Sequence, residues 1–164
     1  MKIIYLAGGC FWGTQKFFDQ FAGVVETQVG YANGPAKRPS YQDVCASSGH
    51  AETVKIMYDD NIITLTQLLD YYFMTIDPTS YHRQGMDMGM QYRTGIYYTD
   101  PDDLDEIKKR YDLEQSKYSQ NLQVEVKPLE NFFPAEDYHQ KYLDKNPGGY
   151  CHIPEKLLHL KERR

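Results

Sequence analysis

The sequence has little of what marks a membrane protein, a nucleic-acid binder or a disulfide-stapled secreted domain. It contains three cysteines, Cys10, Cys45 and Cys151, widely spread and with no Cys-x-x-Cys pair. An odd, scattered set of this kind is not a disulfide framework. The five histidines never join cysteine at zinc-site spacing, so no structural metal is expected, and nothing calls for another cofactor. No stretch approaches the ~20 apolar residues of a membrane helix, and the run Met1 to Leu6 meets Gly8-Gly9 too soon to serve as a secretory core. A membrane partner is therefore not expected, and the default location is the cytoplasm. The net charge is −5 and the basic residues form no stripe, which argues against nucleic acid. Two nucleotide motifs also fail. Gly13-Thr14-Gln15 stands where a P-loop needs Gly-Lys-Ser/Thr, and Cys10 interrupts what would be a G-x-G-x-x-G.

What is present suits one globular domain of 164 residues, long enough to bury a core without staples. Lys2 to Leu6 is a short apolar run ended by glycines, as in a buried strand, and Phe11, Phe17, Phe18 and Phe21 then fall at helical spacing. Strands fit Val24 to Tyr31, Thr53 to Tyr58, Arg93 to Tyr98 and Gln123 to Lys127. Thr64-Leu65-Thr66-Gln67 is a capping box opening a helix that carries Leu65, Leu68, Leu69, Tyr72, Phe73 and Ile76, stopped by Asp77-Pro78. Asp100-Pro101 opens a further helix with Leu104, Ile107, Tyr111 and Tyr118, and Ala135 to Leu143 fits a last one. Residues 33–49 and 77–91 have no period and read as long loops, which in compact domains tend to be functional. The order strand, helix, strand, strand, helix, strand predicts an α+β two-layer sandwich on a ferredoxin-like split β-α-β core. A monomer is the default. The Gly/Pro-rich segment from about residue 146 is expected to be mobile.

Gly8-Gly9-Cys10-Phe11-Trp12-Gly13 ends a strand, turns on two glycines and opens a helix with a thiol. Unpaired N–H groups and the positive end of the helix dipole favour thiolate at that position. Gly9 to Gly13 resembles the active-site signature of the A-type peptide-methionine sulfoxide reductases. The resemblance continues, in order, through Pro39-Ser40-Tyr41-Gln42-Asp43-Val44-Cys45, Gly49-His50-Ala51-Glu52, Gly89-Met90-Gln91-Tyr92-Arg93 and Asn146-Pro147-Gly148-Gly149-Tyr150-Cys151-His152-Ile153. It covers nearly the whole chain, from about residue 3 to about residue 153, and two of its motifs fall in the aperiodic loops.

The resemblance implies reduction of methionine S-sulfoxide, free or in proteins, as a repair of oxidative damage. Cys10 is then the nucleophile, leaving as a sulfenic acid when methionine departs. Glu52 is the proton donor, and a carboxyl tucked beside aromatics has the raised pKa that this needs. Tyr41 and Tyr92 match hydroxyl donors to the sulfoxide oxygen, Asp87 an acidic residue of the same pocket, and Phe11 and Trp12 the apolar wall for the S-methyl group. Cys151 is the resolving thiol, forming with Cys10 a disulfide that thioredoxin reduces. The family often carries two cysteines in a longer tail and Thr at the position of Met90. This chain has one tail cysteine, in the form Tyr150-Cys151-His152-Ile153. Cys45 is read as structural, with backup resolution of the sulfenic acid as the lesser alternative, and His50 as a loop-orienting residue.

Two rivals stand beside this reading. A cysteine hydrolase also places a Cys at a helix start, but it needs a His base with an orienting partner and gives Cys151 no role. A non-catalytic module recognising oxidised methionine predicts binding without turnover, surviving Cys10→Ser.

Overall fold

In a computed structural model, residues 1–35, 39–45 and 49–160 are described. Strand β1 (Lys2–Gly8) is the centre of a sheet whose other members are β2 (Val24–Ala32), β3 (Ala51–Tyr58), β6 (Thr94–Tyr98), β7 (Glu125–Pro128) and β8 (Phe132–Pro134). The order is β7-β6-β1-β3-β2-β8. All neighbours pair antiparallel except β6 and β7, which are parallel.

Alternation along the strands sorts the core into two layers. Ile4 and Leu6 of β1 pair with Ile56 and Val54 of β3, and with Val29, Tyr31 and Ile96 they face the helices. Tyr5, Ala7, Ala32, Ala51 and Tyr97 form a second, smaller cluster on the other face. The helical layer is α1 (Phe11–Asp19) and α3 (Leu65–Thr75). Phe17 and Phe18 of α1 and Leu68, Leu69 and Tyr72 of α3 are fully buried, each contributing roughly 1.5–3 kcal/mol of burial. The expected capping box is present: Thr64 Oγ1 accepts from Gln67 N–H, and the Gln67 side chain accepts from Thr64 N–H at 2.9 Å. β1-α1-β2 and β3-α3-β6 thus form the ferredoxin-like core with its split β-α-β order, as expected. α4 (Leu104–Gln115) carries the chain across to β7, and β8 extends the sheet beyond β2.

Several elements depart from the sequence expectation. The stretch 77–91 holds a small hairpin, β4 (Arg83–Gln84) and β5 (Asp87–Met88), followed by a 3₁₀ turn over Met90–Tyr92. The other aperiodic stretch holds a short helix, α2 (Tyr41–Cys45), whose N–H groups at Ser40 and Asp43 are satisfied reciprocally by the Asp43 and Ser40 side chains. The role expected for Cys45 concerns a side chain outside the described residues.

The helix expected over Ala135 to Leu143 is broken. A 3₁₀ turn at Asp137–His139 is followed by α5 (Tyr142–Lys145), with Lys141 left-handed at φ 55° between them. Tertiary bonds outcompete the helical pattern here. Gln140 clamps the β2 backbone by accepting from Val29 N–H at 3.0 Å and donating to Val29 O at 2.9 Å. Lys141 N–H donates to Gln15 Oε1 at 2.8 Å, and its ammonium donates to Asp19. The last helix, α6 (Glu155–Leu158), follows a segment in which Ile153 is buried in the main core. Among the described residues no helix is long and apolar enough to cross a membrane.

Candidate active site

Cys10 is the N-cap of α1, delivered by the end of β1 and a turn at Gly9, whose φ of +87° only glycine adopts readily. A Cβ at Gly9 would lie 2.9 Å from Gln84 and 3.1 Å from the His152 ring, so the turn is wedged between β4 and the C-terminal segment. His152 Nε2 in turn lies 2.8 Å from Gly8 O.

The thiol is 7% exposed. Burial pushes its pKa well above the ordinary value and the nearby Glu52 adds to this, while the Trp12 backbone N–H works the other way. The helix-start contribution expected from sequence is present, but desolvation outweighs it, and Cys10 rests as a neutral thiol.

Glu52 stands near the start of β3, opposite Tyr31 of β2, and is 1% exposed. Its Oε1 accepts from the Phe11 backbone N–H at 3.2 Å, and Oε2 has no partner among the described residues. Burial raises the carboxyl to about 8 against the pull of that N–H, with Asp87 adding a little. The group is therefore protonated at neutral pH, and Oε2 is free to donate.

Tyr92, at the end of the 3₁₀ turn, is pushed up by burial and then by the charge of Glu52, against a hydrogen bond with the Gln91 side chain, with Cys10 adding a little. Asp87 of β5 accepts from the Tyr150 hydroxyl at 3.0 Å, and its charge reaches Cys10, Glu52 and Cys151. Tyr150 itself is pushed up to about 12, by burial and then by that hydrogen bond.

Cys151 is half-buried, and burial raises its pKa as well. It sits over the first turn of α1, where a Cβ on Gly13 would come within 2.8 Å of its sulfur. Cys10 and Cys151 are both free, and each lies within electrostatic range of Asp87.

A second group of rings borders these residues. Phe11 is buried against Tyr31 and His139, with ring centroids 5.7 Å and 5.3 Å away. Trp12 is half-buried, packed on Tyr142 at 3.8 Å, and its indole N–H donates to His139 Nδ1 at 3.0 Å. Tyr41 joins through its ring, 4.5 Å from His139, and through its backbone N–H, which donates to Glu136 Oε2 at 3.1 Å. Glu136 also accepts from the Tyr31 hydroxyl at 2.8 Å. Burial pushes this carboxyl upward, but its hydrogen bonds prevail and hold it below the usual range.

Of the residues expected from sequence, Cys10, Glu52, Tyr92, Asp87 and Cys151 therefore share one electrostatic environment. Phe11, Trp12 and Tyr41 meet on His139. The sequence reading missed His139, Glu136 and Tyr150. The first two lie where a helix was expected, and nothing in that pattern distinguishes them.

Two thiols, a neutral acid and an apolar wall around one buried turn suit thiol-based redox chemistry. Residues 2–163 match the family model for peptide methionine sulfoxide reductase. A relative from Clostridium perfringens, peptide methionine sulfoxide reductase MsrA, is 55% identical over 154 residues, covering 93% of this chain and 98% of that protein. The crystal structure of reduced Mxr1 from Saccharomyces cerevisiae superposes with a TM-score of 0.88 at 38% identity, over 93% of this chain and 91% of the other. Mxr1 in complex with Trx2 superposes with a TM-score of 0.61 at 28% identity, over 86% and 84%. The chain belongs to the peptide methionine sulfoxide reductase family and to its A type, and its chemistry is thiol-dependent sulfoxide reduction.

Proposed function

We propose that this chain repairs methionine S-sulfoxide, in proteins and as the free amino acid, with Cys10 as nucleophile and Glu52 as acid. The observation that carries the reading is the neutral Glu52 carboxyl fixed on the first turn of the Cys10 helix, with one oxygen unpartnered. In the proposed reaction Glu52 protonates the sulfoxide oxygen, which makes the methionine sulfur electrophilic. The Cys10 thiol attacks, its proton replacing the one that Glu52 gave up. The oxygen ends on Cys10 as a sulfenic acid and methionine leaves, its sulfur reduced as that of Cys10 is oxidised. Uptake of the thiol proton returns Glu52 to its neutral form, so no carboxylate is left beside the reacting sulfur.

Tyr92 and Tyr41 act as hydroxyl donors to the oxygen, Phe11 and Trp12 receive the S-methyl group, and Asp87 fixes the far side of the pocket through Tyr150. Cys151 then attacks the sulfenic acid, expelling water and forming a disulfide with Cys10. A thioredoxin-type dithiol reduces it by exchange. What supports this partner is the crystallised assembly of the related Mxr1 with Trx2. We read residues 1–164 as one monomeric, cytoplasmic reductase domain, whose segment from about residue 146 moves as Cys151 closes on Cys10.

The test is reduction of resolved S and R dabsyl-methionine sulfoxide with dithiothreitol, wild type beside Cys10→Ser. Loss of the S epimer alone, dependent on Cys10, is expected. Reduction of neither epimer by folded protein overturns the reading in favour of a binding module.

A further inference from the structure

His139 has no part in the reaction just described, yet four rings converge on it. Its ring centroid lies 5.3 Å from Phe11, 5.8 Å from Trp12, 4.5 Å from Tyr41 and 4.2 Å from Tyr138. The residue is 1% exposed. Because an indole nitrogen only donates, the bond from Trp12 Nε1–H requires a bare Nδ1 on His139, and the ring proton must then sit on Nε2. That Nε2 is buried without a partner among the described residues. Leaving a buried donor unmade is costly, and a native structure that does so has a reason. Here the tautomer that leaves Nε2–H alone is the one that presents an acceptor to Trp12. Burial also lowers the His139 pKa against the pull of Glu136, which keeps Nδ1 bare at neutral pH.

The segment carrying His139 is itself pinned. His139 N–H donates to Glu136 O at 2.9 Å, and the next residue, Gln140, is tied to the β2 backbone through Val29. The acceptor therefore has a fixed position relative to the sheet. Trp12 is held on one side by packing against Tyr142 and at its N–H by His139.

We propose that His139 is a positioning residue: its Nδ1 fixes the indole of Trp12 at the angle that makes the apolar wall for the substrate's S-methyl group. The inference rests on the reading of Trp12 as that wall. Packing on Tyr142, with the two rings tilted at 40°, is a non-directional contact that does not by itself fix the orientation of the indole. The hydrogen bond is directional and fixes it. A loosened wall weakens productive binding of the sulfoxide more than it weakens the thiol chemistry, so the effect is expected mainly in KM.

Trp12 is the single tryptophan of the chain, so selectively excited emission reads its indole directly. His139→Asn places an oxygen acceptor near the position of Nδ1. His139→Phe keeps the ring and removes the acceptor. The Asn variant is expected to keep near-wild-type emission and KM. The Phe variant is expected to shift the emission and raise KM on the order of tenfold, with kcat changed less. In a Trp12→Phe background, His139→Phe is expected to add no further loss.

Wild-type emission and KM in His139→Phe would overturn the proposal, as would equal impairment of the Asn and Phe variants or losses that multiply in the double variant. Should the Phe variant not fold, His139→Gln, whose amide reaches past the Nδ1 position, carries the same comparison with Asn. Wild-type kinetics in Trp12→Phe alone would defeat the reading of Trp12 as the wall. The emission comparison would still decide whether His139 holds the indole.

Discussion

The backbone N–H of Phe11 donates to Oε1 of Glu52 at 3.2 Å, joining the first turn of α1 to the start of β3 across 41 positions of sequence. The bond lies in a fully buried place and leaves Oε2 unpaired, so it orients the carboxyl without ionising it. Burial wins, and the group titrates at about 8. Glu136, at the Tyr31 hydroxyl, shows the opposite outcome. It accepts from the Tyr31 hydroxyl and from Tyr41 N–H and stays ionised. Two glutamates bordering one site are thereby separated into an acid and a fixed anion.

Glu52→Gln tests the acid. A carboxyl whose folded pKa is raised binds its proton more tightly when folded, so its contribution is fully present below the unfolded value near 4.5 and is lost as pH rises through about 8. Wild-type stability is therefore expected to fall between those limits and then level off. The glutamine variant keeps an acceptor for Phe11 N–H and carries no charge at any pH. It should match the wild type near pH 4–5 and be more stable near pH 9. Its rate should drop on the order of 100-fold, and the decline of wild-type activity above about 8 should disappear. Thermal melts and pH–rate profiles of the two proteins check both statements. A variant with the wild-type rate and profile would remove Glu52 from the role of acid.

The six core elements and the thiol at the start of α1 are legible because their signals are local: an apolar run in β1, alternation in β3, a capping box before α3, glycines before Cys10. What could not be read was set by contacts between distant segments. The residues around His139 carry an amphipathic pattern, but Gln140 bonds the β2 backbone and Lys141 bonds Gln15, and these ties break the helix at a left-handed residue. The same folding-over places His139 on Trp12, a pairing across 127 positions that no local pattern encodes. The protonation of Cys10 is legible only in part, for a related reason. The helix start is visible in sequence, whereas the depth at which the sheet and the C-terminal segment bury it is not.

Tyr72→Phe addresses the frame rather than the chemistry. The Tyr72 hydroxyl is fully buried, donates to Ala7 O at 2.7 Å and accepts from Gly95 N–H at 3.2 Å. It therefore satisfies backbone groups of both β1 and β6 at their Ala7–Gly95 pair, just before the turn that delivers Cys10. Removing the oxygen leaves a carbonyl and an N–H without that partner in the core, a cost of roughly 1–3 kcal/mol. Urea unfolding should show a lower midpoint with an unchanged slope. An unchanged midpoint would mean that the ladder closes the gap on its own.

Gly13→Ala separates the two thiol steps. Position 13 lies within α1, where alanine is favoured over glycine by roughly 1 kcal/mol, so a stability loss is not expected from helix propensity. The added Cβ would, however, lie 2.8 Å from the Cys151 sulfur, closer than such atoms approach, and the half-buried thiol must move. The bond from Phe11 N–H to Glu52 does not involve that contact, and the first reduction should proceed: one equivalent of methionine per enzyme, at near-wild-type rate, in a single-turnover experiment without added thiol. Formation of the Cys10–Cys151 disulfide should be slowed, leaving the sulfenic acid long enough to be trapped by dimedone and seen by mass spectrometry. Cys151→Ser gives the limiting case, in which the trap is quantitative and thioredoxin no longer supports cycling. If Gly13→Ala closes its disulfide as fast as the wild type, the resting place of Cys151 over Gly13 is not where it acts, and the segment must travel to a different contact before it reaches Cys10.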